Sequence, residues 1–198
     1  MAIKDRQQLI TRVVSKVLRQ EPTFNHSFVW MANKHSLSGF KHQTHLMDSI
    51  FSELKGDKAT HEAKRLQLLK CDAYFGGGYQ FIFEFDEYQH FTTRRLMTLE
   101  RYPDNAPLNF LVSDWIEFCR THRRKADAYR QHKTTPDFNF RGGRTAQRAY
   151  LDCFRDLLPP LNGLKPTVRI CEFEVADIYS IDAASCKKIE RLLKKKLS

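Results

Sequence analysis

Apolar residues recur every three to four positions across residues 5–20, with Leu9, Val13 and Val17 on one line and Ile10, Val14 and Leu18 on the next. This spacing predicts an amphipathic helix that ends at Glu21-Pro22. The segment THLMDSIFSELKG repeats it with Leu46, Ile50 and Leu54, and Gly56 stops it. Between the two, an aromatic-rich and histidine-rich stretch has no clean period and reads as an irregular or partly helical arm. From Leu66 the period changes to two. The runs LQLLKCDAYF and YQFIFEFDEY around Gly76, Gly77 and Gly78 predict a β-hairpin. Helices follow near TTRRLMTLERY, from Ser113 to about His132, and over 144–158 with a stop at Pro159-Pro160. TVRICEFEV reads as a late strand and DAASCKKIERLLKKKLS as a terminal helix. The order describes an α/β domain in which a mixed β-sheet with a central acidic hairpin is flanked by helices. A single domain is expected: a helical arm over 1–60, a core over 61–180 and a basic helix over 181–198.

The hairpin carries charge where a greasy strand is expected. Along the second run Phe81, Phe83 and Phe85 share one face, while Ile82, Glu84, Asp86 and Tyr88 share the other. Folding about Gly78 sets Asp72 opposite Glu84 on the face that also bears Asp86. A one-residue slip would send these acids to the wrong side. The phenylalanines should pack on a helix and leave the acids over a cleft. Three converging carboxylates repel unless one is protonated or a cation lies between them. Oxygen donors suit Mg²⁺ or Mn²⁺, hard ions that keep several waters and also grip phosphate. The chemistry such a site implies is phosphodiester hydrolysis.

Charge bears on the partner. Lys and Arg number 33 against 23 Asp and Glu, a formal net charge of +10, while 41% hydrophobic residues suffice for a packed core. A folded basic protein favours a polyanion such as nucleic acid. Cys71, Cys119, Cys153, Cys171 and Cys186 are odd in number and nowhere form a Cys-x-x-Cys pair, which argues for a reducing compartment and against a thiolate zinc site. No secretory leader or stretch of about 20 apolar residues is visible, so a cytoplasmic or nucleoid-associated protein without a membrane partner is expected. No Gly-x-x-x-x-Gly-Lys-Ser/Thr loop, serine nucleophile elbow or Cys-His signature occurs.

Asp72, followed after eleven residues by Glu84-x-Asp86 and then Gln89-His90, resembles the active-site pattern of the PD-(D/E)XK nuclease superfamily. FEFDEYQHF is similar, more narrowly, to the strand end of relatives of very-short-patch-repair endonucleases, and the likeness extends to small restriction endonucleases. It covers residues 62–100, about a fifth of the chain. It implies a restriction-endonuclease-like core and a Mg²⁺-dependent or Mn²⁺-dependent endonuclease that hydrolyses DNA, with a homodimer as its frequent form. Asp72, Glu84 and Asp86 would hold the ion. The motif's lysine is missing: Asp86 takes its place if Glu84 is the acid, and Gln89 does if Glu87 is. Strand parity points Glu87 away and favours the first assignment. Gln89, more than His90, would then orient the attacking water.

DNA, duplex first, would lie along Arg120, Arg123, Arg124, Lys125, Arg130, Lys133, Arg141, Arg144 and Arg148, nine cations opposed only by Asp127 and Asp137. Arg94 and Arg95 stand closer to the metal. Glu53 or Glu62 would be an additional acid, and His35, His42 and His45 carry a weak zinc reading. The rival functions are an RNA-directed nuclease, a non-catalytic nucleic-acid-binding protein and a protein-interaction module.

Overall fold

The computed structural model describes residues 3–197 and the side chains of all of these except Ile3, Lys4 and His42. Helix α1 (Ile3–Leu18) leads into β1 (Thr23–Phe24) and β2 (Ser27–Ala32). After two short 3₁₀ turns come α2 (Thr44–Glu53), α3 (Lys58–Ala63), β3 (Leu68–Lys70), β4 (Ala73–Phe75) and β5 (Phe81–Asp86). A 3₁₀ turn at Tyr88–His90 precedes α4 (Thr93–Leu99), α5 (Val112–Ala128), α6 (Gly143–Leu161), β6 (Val168–Cys171) and α7 (Ala183–Leu197). The principal sheet is mixed, in the order β1-β4-β5-β6, antiparallel except that β5 and β6 run parallel. A separate antiparallel ribbon joins β2 to β3.

The hairpin register follows the alternation of the sequence. Ala73 pairs with Phe83 and Phe75 with Phe81, which leaves five loop residues centred on Gly78. Gly77 supplies the left-handed conformation of that turn, with φ of 54°. Phe81, Phe83 and Phe85 pack with Val168 and Ile170 beneath Ile10, Val13 and Val14 of α1 and Ile189 and Leu193 of α7. On the opposite face Ile82 joins a larger core with Trp115 of α5 and Tyr150, Phe154, Leu157 and Leu158 of α6. Two helical layers therefore enclose one sheet, as its two-sided burial requires.

Five expectations about elements are corrected. The aromatic stretch is not irregular throughout, since it holds β1 and β2. The run from Leu66 to Phe75 is two strands in two sheets, and the chain bends at Cys71-Asp72 to pass between them. Helix α5 ends at Ala128, short of His132. Helix α6 continues through Pro159 and Pro160 to Leu161. Pro159 has no N–H to give the carbonyl of Arg155, and the hydroxyl of Thr167 donates to that carbonyl instead. The late strand is also brief, ending at Cys171 in turns.

Because Phe83 is fully buried at the centre of the layer formed by α1, the sheet and α7, Phe83→Ala is expected to lower the unfolding free energy by about 3–5 kcal/mol. Urea denaturation would measure the loss. A cost below about 1 kcal/mol would mean that this layer does not hold the sheet.

Candidate active site

The bend that separates β3 from β4 frees Asp72 from regular pairing and turns its carboxylate toward β5. The N–H of Phe85 donates to Asp72 Oδ2 at 2.9 Å, and the N–H of Asp72 donates to Glu84 Oε1 at 3.1 Å. The two acids are thus locked face to face, as the predicted register requires. Among the described residues no hydrogen bond reaches Asp72 Oδ1 or Glu84 Oε2. Both open onto a cavity of about 160 Å³. Helix α6 provides its other wall with Arg144, Arg148, Leu151, Asp152 and Arg155, while Gln7 of α1 reaches its edge.

Burial raises the pKa of Asp72, although the Phe85 N–H tempers the effect. For Glu84, burial first and the charge of Asp72 second lift the pKa well above the ordinary glutamate range. Arg155 partly compensates, its Nε lying 3.4 Å from Glu84 Oε1 and its Nη1 3.5 Å from Asp152 Oδ1. Burial also disfavours the charged form of Asp152, but His90, Arg169 and Arg95 outweigh it and hold that carboxyl far below the usual range. Of these three acids Asp152 is firmly ionised, and Asp72 and Glu84 are reluctant to ionise.

Asp86 is not part of this cleft. It lies on the predicted face but is buried, with both oxygens engaged. Arg169 Nη1 donates to Oδ1 at 2.6 Å, and Trp115 Nε1 donates to Oδ2 at 2.8 Å. The same guanidinium donates through Nε to Asp156 Oδ1 at 2.5 Å. Asp156 Oδ2 accepts from Arg95 Nη2 and the Tyr102 hydroxyl, each at 2.6 Å. Arg95, expected on a DNA-facing surface, is instead a buried structural cation. Its neighbour Arg94 is half-buried, with its guanidinium 5.4 Å from the centre of the Phe140 ring.

Other candidates fall on both sides of the cleft. Strand alternation ends at Asp86, and Glu87 opens a 3₁₀ turn, so Glu87 lines the cleft where parity had pointed it away. Gln89 is buried and donates to Glu87 Oε2 at 2.6 Å, whereas His90 lines the cavity. The expected order of these two is reversed. His90 Nδ1 lies 3.4 Å from Asp152 Oδ2 and 3.5 Å from Asp86 Oδ1. If Nδ1 carries the proton that Asp152 accepts, Nε2 is left as a hydrogen-bond acceptor.

Of the predicted basic residues, only Arg144 and Arg148 line this cavity. Arg120 pairs with Glu100 at 3.6 Å, Arg123 and Arg124 are exposed on α5, and Lys125 covers the Tyr88 ring. Arg141 donates to Gln131, and Arg130 and Lys133 line an adjoining hollow. Glu53 is paired with Arg101 and Glu62 accepts from Ser36, both away from the cleft. Of the histidines, His35 is buried against Tyr150 and Asp48, and the His42 side chain lies outside the described residues.

Sequence reasoning missed Asp152, Arg155 and Arg169. A signal was present, since Arg148, Asp152, Arg155 and Asp156 form a charged stripe at helical spacing along RAYLDCFRDLL, whose other residues are apolar. Arg169 stands between apolar residues of a buried strand and pairs in register with Glu84.

The three-acid ligand set therefore fails a test of fit for a divalent ion. No group of three acidic, histidine or cysteine side chains is arranged to hold one among the described residues. Asp72 and Glu84 alone do fit, because Mg²⁺ is commonly held by one or two carboxylates together with water and phosphate oxygens. Compared with known proteins, the chain matches no protein family, no curated protein and no solved structure. No helix among the described residues is long and apolar enough to cross a membrane.

Two outcomes are expected. A raised Glu84 pKa stabilises the fold fully below the ordinary glutamate range, and this contribution is lost as pH rises through the folded-state value. Glu84→Gln, which mimics the neutral acid, should match the parent near pH 4 and exceed it in Tm by about 2–4 °C at pH 8; an equal Tm difference at both pH values would rule out this cause. Arg169→Met strands Asp86 and Asp156 and should cost roughly 3–5 kcal/mol in chemical denaturation.

Proposed function

We propose that the cleft hydrolyses phosphodiester bonds in DNA as a metal-dependent endonuclease. The observation that carries this reading is the meeting of Asp72 and Glu84 in a cavity also lined by Arg144, Arg148 and Arg155. Paired acids beside several arginines complement a phosphate and a divalent ion together, a combination that a solvated acidic strand has no need of. The central acidic hairpin in a mixed sheet with helices on both faces is compatible with the restriction-endonuclease-like core that the sequence resemblance implies.

In this reading Asp72 and Glu84 hold Mg²⁺ or Mn²⁺. When bound, the ion polarises the phosphoryl oxygen and neutralises charge on the leaving alkoxide. Arg144 and Arg148 orient the scissile phosphate through guanidinium–oxygen hydrogen bonds. His90, steadied by Asp152 through Nδ1, accepts a proton from the attacking water at Nε2, taking the role first given to Gln89. Arg155 shields Glu84 from repulsion by Asp72, with its guanidinium held in place by the carbonyls of Lys70 and Leu151. The DNA preference follows from the resemblance. An RNA strand presents the same phosphates, and parallel digestion of duplex DNA, single strands and RNA separates the two.

One observation favours a second reading, a non-catalytic nucleic-acid-binding protein: Arg155 already balances Glu84, so the acids have a structural use without an ion. The deciding experiment is plasmid digestion with Mg²⁺ or EDTA. The parent protein is expected to cut only with Mg²⁺, and Asp72→Asn and Glu84→Gln to lose about a hundredfold or more in rate while binding DNA in EDTA like the parent. Variants that cut at the parental rate would remove these acids from the mechanism.

A further inference from the structure

Beside the acidic cleft lies a second hollow, about 170 Å³, lined by Tyr129, Arg130, Lys133, Arg144, Thr145 and Arg148 among others. Arg144 and Arg148 belong to both cavities. No carboxylate lines this one, and none of its four cations has an ion-pair partner within 4.0 Å among the described residues. Arg144 donates to Gln147 and Arg148 to the Gln89 carbonyl, neutral acceptors that leave the positive charge uncompensated. Desolvation and the like charges of Arg148 and Arg155 even lower the pKa of Arg144. The buried Arg95 and Arg169 and the half-buried Arg155, by contrast, each pair with a carboxylate.

The wall of this hollow is built rather than casual. After α5 ends, Arg130 adopts a left-handed conformation with φ of 50°, a position that favours glycine over arginine. The turn is fixed by the Lys133 N–H donating to the Arg130 carbonyl at 2.9 Å. It is tied to the start of α6 by Gly142 N–H to the Gln131 carbonyl at 2.7 Å and Arg144 N–H to the Lys133 carbonyl at 3.1 Å. A cation kept in strained backbone, at the rim of an anion-sized hollow without acids, indicates a use for the charge.

We propose that this hollow is a second phosphate subsite, which receives the phosphate next to the scissile one on the same nucleic-acid strand. The inference rests on the phosphodiester reading of the first cavity. The two shared arginines make the subsites adjacent, so one strand passes from Arg155 past Arg148 and Arg144 to Arg130 and Lys133. Tyr129 lines the hollow beside Arg130, whose guanidinium lies 5.1 Å from the centre of its ring.

The experiment measures binding of a fluorescent single-stranded oligonucleotide in EDTA, over a series of salt concentrations, by parent, Arg130→Gly and Lys133→Ala proteins. Each variant is expected to bind about tenfold more weakly and to lower the slope of log K against log salt by about one. Glycine suits the left-handed position, so Arg130→Gly should keep or raise the parental Tm, which separates lost affinity from lost fold. Variants that bind as the parent does would overturn the subsite. Inorganic phosphate is the second arm: displacement of the oligonucleotide at equal phosphate concentration would also overturn it, because the hollow would then serve a free anion. Cleavage by the parent in Mg²⁺ reports on the first reading separately. Weakened variants without any cleavage keep the subsite and refute the nuclease, whereas cleavage with unweakened variants does the reverse.

Discussion

The architecture depends on one buried cation. Arg169, inaccessible to solvent, bridges Asp86 of β5 to Asp156 of α6 through opposite ends of its guanidinium. Desolvating three charged groups is costly, and an apolar trio of the same volume would often serve stability as well or better. What the bridge provides is position. It fixes the rotation of α6 about its own axis, because Asp156 faces the sheet only in one setting. That setting aims Asp152 and Arg155 at Glu84 and presents Arg148 and Arg144 farther along the same helical face. The single crossing of α6 over β5 thereby sets where the charges of α6 stand relative to Glu84.

The bridge also explains which parts of the site were legible in the sequence. Asp72 and Glu84 were readable because parity is a local property: a five-residue loop centred on Gly78 places them opposite each other whatever lies above. Asp86 obeys the same parity, yet its role is decided by Arg169 and Trp115, 83 and 29 residues away, and alternation carries no information about partners at that range. Glu87 and Gln89 were misplaced because the strand ends at Asp86, two residues before the run that the alternation suggests, and beyond that point the period-two rule no longer applies. The run from Leu66 to Phe75 looks continuous in hydropathy, but Asp72 sits at its bend, and the break frees that carboxylate to receive the Phe85 N–H. At the end of α6, Pro159 would ordinarily mark a boundary; a threonine eight residues later supplies the missing donor, and no local pattern reveals it.

Electrostatics assign the cleft two opposing requirements. Burial makes Asp72 and Glu84 reluctant to ionise, and the charge of Asp72 adds to the effect at Glu84. Arg155 relieves part of that strain from one side, and a divalent ion would relieve it from the other. Asp152 behaves oppositely, since His90 and two buried arginines keep it charged. The outcome is a graded site in which a permanent anion orients the histidine while two convertible acids face the cavity. Asp72 Oδ1 and Glu84 Oε2 accept no hydrogen bond among the described residues, and both acids line the cavity, where water or an ion can reach them.

Helix geometry extends this grading into a direction. Arg144, Arg148 and Arg155 lie within about 40° of one another around the α6 axis, at a rise of 1.5 Å per residue, so they span about 16 Å along a single face. At roughly 3.4 Å of duplex rise per nucleotide, this length corresponds to about five nucleotides of one strand. Arg144 and Arg148 stand between two environments, the acid-lined cleft on one side and a hollow with no carboxylate in its lining on the other. A polyanion laid along α6, as the proposed reading requires, would meet carboxylates on the cleft side alone.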